Sequence, residues 1–135
     1  MRMKLKYYLL EDVVDLPSLN RLPYSYISAI DDLLEINFNF PINNTKGCYK
    51  IIFPDNSWYI GKSNNIVKRI LGHLAEQKSN NKMYEDLKTF DKKEIIVLKI
   101  SNKESDEMKM LKIHLKNDKN YCYNIRENTR LTKTK

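Results

Sequence analysis

The chain has 135 residues, 41% of them apolar, enough for one compact domain and too few for two of ordinary size. No apolar run approaches the roughly 20 residues that span a bilayer, and the opening stretch offers only Tyr7–Leu10 before Glu11 and Asp12 interrupt it. Neither a membrane span nor a signal peptide is therefore expected, and the expected location is the cytoplasm. The formal charge of +7 is unevenly distributed: residues 1–45 hold four Lys/Arg against six Asp/Glu, whereas residues 46–135 hold twenty against eleven, so a polyanion would bind the second stretch.

Residues 1–45 read as an N-terminal extension that packs on or extends the core. Prolines at 17, 23 and 41 punctuate it, and a helical pattern runs from Ser25 to Ile36. Ile27, Ile30, Leu33 and Leu34 recur there at three- and four-residue spacing, with Asp31, Asp32 and Glu35 on the other face. The main domain is expected over residues 46–125. Cys48 to Phe53 form a strand-like run after Gly47, Pro54 to Ser57 a turn, and Trp58 to Ile60 a second strand before Gly61, together a β-hairpin.

Ser63 or Asn64 can cap the next helix, in which Ile66, Val67, Ile70, Leu71 and Leu74 line one face while Arg69 and His73 stand four apart on its flank. A second helical segment, about Lys82 to Phe90, leads into Glu94 to Ile100, which reads as a buried central strand. A final helix is expected from about Glu104 to Lys116, followed by an extended segment with Tyr121, Tyr123 and Asn124. The tail, residues 126–135, is basic and polar and is expected to be flexible. Cys48 and Cys122 have no zinc-ligand spacing and read as reduced, buried small hydrophobes. This order implies a small α/β (α+β) domain, a mostly antiparallel three-stranded sheet flanked by helices, with an N-terminal helical extension.

The run Gly47-Cys48-Tyr49, then Tyr59-Ile60-Gly61-Lys62-Ser63, Arg69 ten residues after Tyr59, and His73 four further on resembles the GIY-YIG nuclease family. With Glu107 and Asn124 the resemblance covers residues 47–124. Cys48 replaces the usual isoleucine, at a strand position that alternates away from Tyr49 and so should face the core. Each residue alone has a plainer reading: strand tyrosines pack across strands, Arg69 and His73 could be an exposed helix pair, and Glu107 could simply favour a helix start.

The resemblance implies phosphodiester hydrolysis with one divalent cation, Mg²⁺ or Mn²⁺, leaving 5′-phosphate and 3′-hydroxyl ends. It implies Glu107 as the metal ligand with Glu104 as the alternative, Tyr49 as general base and Arg69 as phosphate clamp. Tyr59 and His73 would orient water and phosphate, and Lys62 would neutralise charge or lower the pKa of a tyrosine. Gly47, Gly61, Ser63 and Asn124 would support the site. The implied partner is duplex DNA, and cutting both strands would call for a homodimer or sequential nicking. The small size and the Asn- and Lys-rich composition fit a phage or mobile-element nuclease or a compact restriction enzyme. A non-cleaving DNA-binding or regulatory module on the same fold is the alternative, and RNA binding lacks the stacked aromatic motifs of single-strand readers.

Overall fold

The computed structural model describes residues 24–41, 45–75 and 81–124. The basic tail, residues 126–135, and the first part of the extension, residues 1–23, lie outside them. At the centre is the hairpin of β2 (Gly47–Ile52) and β3 (Trp58–Ser63), paired antiparallel with Tyr49 opposite Gly61 and Ile51 opposite Tyr59. Its turn closes through Phe53 N–H to Ser57 O at 2.9 Å and Asn56 N–H to Phe53 O at 2.8 Å. Asn56 takes φ +69°, a conformation asparagine tolerates better than most residues.

The sheet has four strands, not three. β4 (Ile96–Ser101) pairs antiparallel with β2, and β1 (Asn37–Phe38), from the N-terminal stretch, adds in parallel on its far side, giving the order β1-β4-β2-β3. Two residues of strand with no alternating pattern carry little signal by themselves; pairing with β4 makes them a strand. The preceding helix, α1 (Tyr24–Leu33), ends earlier than the sequence pattern suggests because the chain must turn at Leu34–Ile36 to reach the sheet.

One face of the sheet presents Tyr49, Ile51, Phe53, Ile95 and Val97 to α1, to α2 (Ile66–Ala75) and to α3 (Asn81–Leu87). Ala29, Ile30 and Leu33 of α1 meet Ile66, Val67, Ile70 and Leu71 of α2 in this core, so residues upstream of the hairpin form part of the same packing unit. The other face is smaller: Trp58, Ile60 and Cys122 are buried under Leu111 and Leu115 of α4 (Glu107–Asn117). This helix covers only part of its face, which is why β4 is not buried throughout: Val97 is sealed but Ile96 is 38% exposed. The predicted last helix likewise begins later, because Glu104–Asp106 form a 3₁₀ turn first.

Lys50, buried on the α4 side, is matched there by Asp118 at 3.0 Å and His114 Nδ1 at 3.2 Å, and lies 4.6 Å from the Trp58 ring centroid. Cys48 and Cys122 are buried thiols, as expected; Cys48 directs its S–H to Lys103 O at 3.2 Å. Along the outer edge of β3 the C-terminal segment completes the sheet. Trp58 N–H donates to Tyr121 O and Tyr123 N–H to Trp58 O, each at 2.9 Å.

Candidate active site

Three devices in the backbone aim the site. The first is Gly47, whose φ of +134° and contact with β4 both exclude a side chain: a Cβ there would lie 2.0 Å from Ser101 O. The second is a bulge on β4, where Cys48 faces Ser101 and Tyr49 faces Lys99, leaving Ile100 as the extra residue. Bulges twist a strand and re-aim its side chains, and this one adjoins Tyr49. The third is Gly61, directly across from Tyr49. The Tyr49 ring lies over it so closely that a Cβ would meet the phenol oxygen at 2.4 Å.

α2 delivers Arg69 and His73 to the same place. Its start is capped by Asn65 rather than by Ser63 or Asn64: Asn65 Oδ1 accepts from Lys68 N at 3.3 Å, while Ser63 Oγ holds the preceding turn through Asn65 N at 3.0 Å. Arg69 and His73 then sit one turn apart beside the buried stripe. His73 is 4% exposed, with Nε2 at 3.1 Å from the Tyr49 hydroxyl and its ring edge-on to Tyr59, 5.7 Å between centroids. The Tyr49 and Tyr59 rings are 6.4 Å apart and tilted.

The Arg69 guanidinium lies within hydrogen-bonding reach of the Tyr49 phenol and favours its charged form. A guanidinium only donates, so the phenol oxygen accepts from Arg69, and the arrangement satisfying all three groups has Tyr49 donating its own proton to His73 Nε2. Burial pushes the Tyr49 phenol well above its ordinary range, with Tyr59 adding to the rise and Arg69 opposing it. Tyr59 is raised by burial too, again opposed by Arg69 and reinforced by Glu107. Burial, then the Arg69 charge, push His73 down to about 4. Near neutrality the site therefore holds a phenol and a neutral imidazole rather than a phenolate and an imidazolium.

That depressed value makes a stability prediction. An unfolded histidine titrates near 6.5 and the folded one near 4, so between those values the unfolded chain binds more protons. The His73 contribution is complete above pH 6.5 and is lost as pH falls through about 4, amounting to about 3 kcal/mol. Urea unfolding at pH 7, 6 and 5 should show the wild type losing stability more steeply than His73→Gln. Parallel pH profiles would contradict a buried neutral imidazole.

Of the two glutamates considered for metal binding, Glu107 is the one whose charge reaches both phenols; both act on Cys48, Glu107 more strongly than Glu104. Glu107 is half-buried at the first position of α4, and among the described residues no hydrogen bond or ion pair engages its carboxylate. Its helical neighbour Met108 is 61% exposed. Lys62 stands opposite Cys48 in register, on the strand face away from the tyrosines. Its charge acts on Cys48, so the expected influence on a tyrosine is not what this geometry provides. Asn124 works on the backbone: Oδ1 accepts from Ile60 N at 2.8 Å and Nδ2 donates to Ile60 O at 2.7 Å, clipping the strand between Tyr59 and Gly61.

Tyr49, Tyr59, Arg69 and His73 thus meet at one end of the hairpin with the Glu107 charge acting on both tyrosines, and residues 45–128 match the family model of the GIY-YIG catalytic domain. The chain belongs to the GIY-YIG family. No curated protein and no solved structure matches it. GIY-YIG proteins are a family of nucleases that act on DNA, and the matched segment contains every residue of the site. It excludes α1 and β1, whose packing against α2 and β4 sequence reasoning did not resolve. Asp32 of α1 lines, with His73, Leu74, Leu87, Lys88 and Lys92, a cavity of about 30 Å³, large enough for water, that borders the site. The pattern of charges in residues 25–36 marked Asp32 only as polar, since nothing in the sequence tells which helix will lie beside α2.

Proposed function

We propose that this GIY-YIG protein is a metal-dependent endonuclease that hydrolyses phosphodiester bonds of duplex DNA, encoded by a phage or mobile element. The observation that carries the reading is the Tyr49 hydroxyl held between Arg69 and His73, with the Glu107 carboxylate in electrostatic reach and otherwise uncommitted among the described residues. A single hard carboxylate fits Mg²⁺ or Mn²⁺. Mg²⁺ is commonly bound through one or two carboxylates plus substrate phosphates and waters, rather than by a full protein cage. When bound, such an ion supplies Lewis-acid polarisation of the phosphate and acidifies a water.

The chain's own groups supply the rest. Glu107 would hold the ion. Arg69 donates to the scissile phosphate, where its fixed charge opposes the negative charge that grows in the transition state. Tyr49 takes the proton of the attacking water on its phenol oxygen as its own proton passes to His73 Nε2. Because His73 is neutral near pH 7 its Nε2 has a free lone pair for that proton, and the linked transfer places the charge on the imidazole rather than leaving a free phenolate. Tyr59, edge-on to His73 and close to Arg69, keeps both oriented.

The test is incubation of purified protein with supercoiled plasmid, with Mg²⁺ and with chelator. Metal-dependent nicking or linearisation is expected, and the product topology shows whether one strand or two are cut. Tight, salt-sensitive binding with no cleavage in Mg²⁺ or Mn²⁺ across plasmids of differing sequence would replace this reading with a non-cleaving DNA-binding module.

A further inference from the structure

We propose that the outer face of α4 is a second contact surface for DNA, with Lys109, Lys112 and Lys116 gripping successive phosphates of one strand; this rests on the endonuclease reading above. α4 turns Leu111 and Leu115 onto the Trp58–Ile60–Cys122 cluster and His114 toward the Trp58 ring. On a helix of 3.6 residues per turn the opposite side is then Lys109, Lys112, Ile113 and Lys116, and all four are exposed. Their spacing of three, four and seven residues makes one continuous stripe.

An ordinary solvated helix face in a chain with 17 acidic residues would mix signs, and three lysines elsewhere among the described residues do meet carboxylates. Lys82 meets Asp86 at 3.6 Å along α3, Lys93 meets Glu35 at 3.8 Å, and Lys50 meets Asp118. On α4 the only acid is Glu107, at the other side of the helix, and none of the three stripe lysines has an ion-pair partner among the described residues. Lys109 lies in the first turn, where the positive end of the helix dipole disfavours a cation, so helix stability is not what put it there.

Ile113, 42% exposed, stands among the three charges. An anionic polymer with apolar sugar edges matches that mixture, as a simple counterion would not. The dimensions also agree. Lys109 to Lys116 spans about 10 Å of helix axis, and B-DNA presents about three phosphates per strand over that rise. Because the stripe begins two residues after Glu107, a duplex gripped there lies on the element that carries the site's carboxylate.

The experiment is equilibrium binding of the full chain to a fluorescent duplex in chelator, where no metal-dependent cleavage can intervene, over a range of NaCl concentrations. The triple variant Lys109→Ala, Lys112→Ala, Lys116→Ala is expected to bind about 10-fold more weakly or worse, and to flatten the slope of log K against log[salt] by about 2.7, or 0.9 per lost phosphate contact. The comparison variant Lys82→Ala, Lys93→Ala, which removes paired lysines elsewhere, should change the slope by less than about one. Circular dichroism checks that both variants fold. A triple variant indistinguishable from that comparison, or a wild type whose duplex binding does not depend on salt, overturns the proposal. The endonuclease reading is judged separately, by plasmid cleavage in Mg²⁺.

Discussion

Glu107→Gln is expected to lower metal-dependent DNA cleavage by at least about 10³-fold while leaving the midpoint of thermal unfolding within about 2 °C of the wild type. The substitution keeps shape and removes one negative charge. In the folded chain that charge has no hydrogen bond or ion pair to lose among the described residues, and it raises the phenols it reaches, so its removal does not weaken the fold. Toward a divalent cation the same change is expected to be severe, because among the described residues no second carboxylate acts on both tyrosines to take over. Mg²⁺ titrations of cleavage, run beside calorimetry, separate the two effects. Cleavage within about tenfold of the wild type at saturating Mg²⁺ would remove Glu107 from the mechanism, and an equal loss for Glu104→Gln would shift the metal site to the 3₁₀ turn.

Gly61→Ala is expected to cost about 2–3 kcal/mol of stability and at least about 100-fold in cleavage. The added methyl would lie 2.4 Å from the Tyr49 oxygen and 2.6 Å from the ring carbon that bears it. The ring is fully buried against α2, and the strand is clipped at Ile60 by Asn124, so neither can retreat without breaking the 3.1 Å contact to His73. Gly72→Ala is the matching control. Nothing lies within 4 Å of its would-be Cβ, and in the interior of α2 an alanine should stabilise by about 0.5–1 kcal/mol. Urea unfolding and plasmid cleavage of the two variants should therefore move in opposite directions or not together at all. A Gly61→Ala protein as active and stable as Gly72→Ala would show that the Tyr49 ring is not confined as described.

How legible this site was depended on whether chemistry or geometry carries a residue's role. Tyr49, Tyr59, Arg69 and His73 stand in one short stretch, and strand alternation with a four-residue helix step is enough to bring them toward one another. Lys62 shows the limit. It follows Gly61 directly, yet alternation sends it to the face away from the tyrosines. Asn124 was legible as a family residue, but its bond to the Ile60 backbone needs the chain to return along β3, which no local pattern encodes. The helix boundaries shifted for local reasons of the same kind: Asn65 outcompetes its neighbours as a cap, and a 3₁₀ turn precedes α4.

By itself the sequence determined the hairpin, the amphipathic α2 and the short stretch that holds Tyr49, Tyr59, Arg69 and His73. These rest on periodicities and turn residues that act within about a dozen positions. The tertiary structure alone decided that residues 37–38 become a fourth strand and that α1 backs the helix bearing Arg69 and His73. It also decided that Glu107 rather than Glu104 acts on the phenols, and that His73 is neutral. Each of those depends on which surfaces exclude water together. Burial and the field of distant charges are properties of the packed chain, not of any window along it.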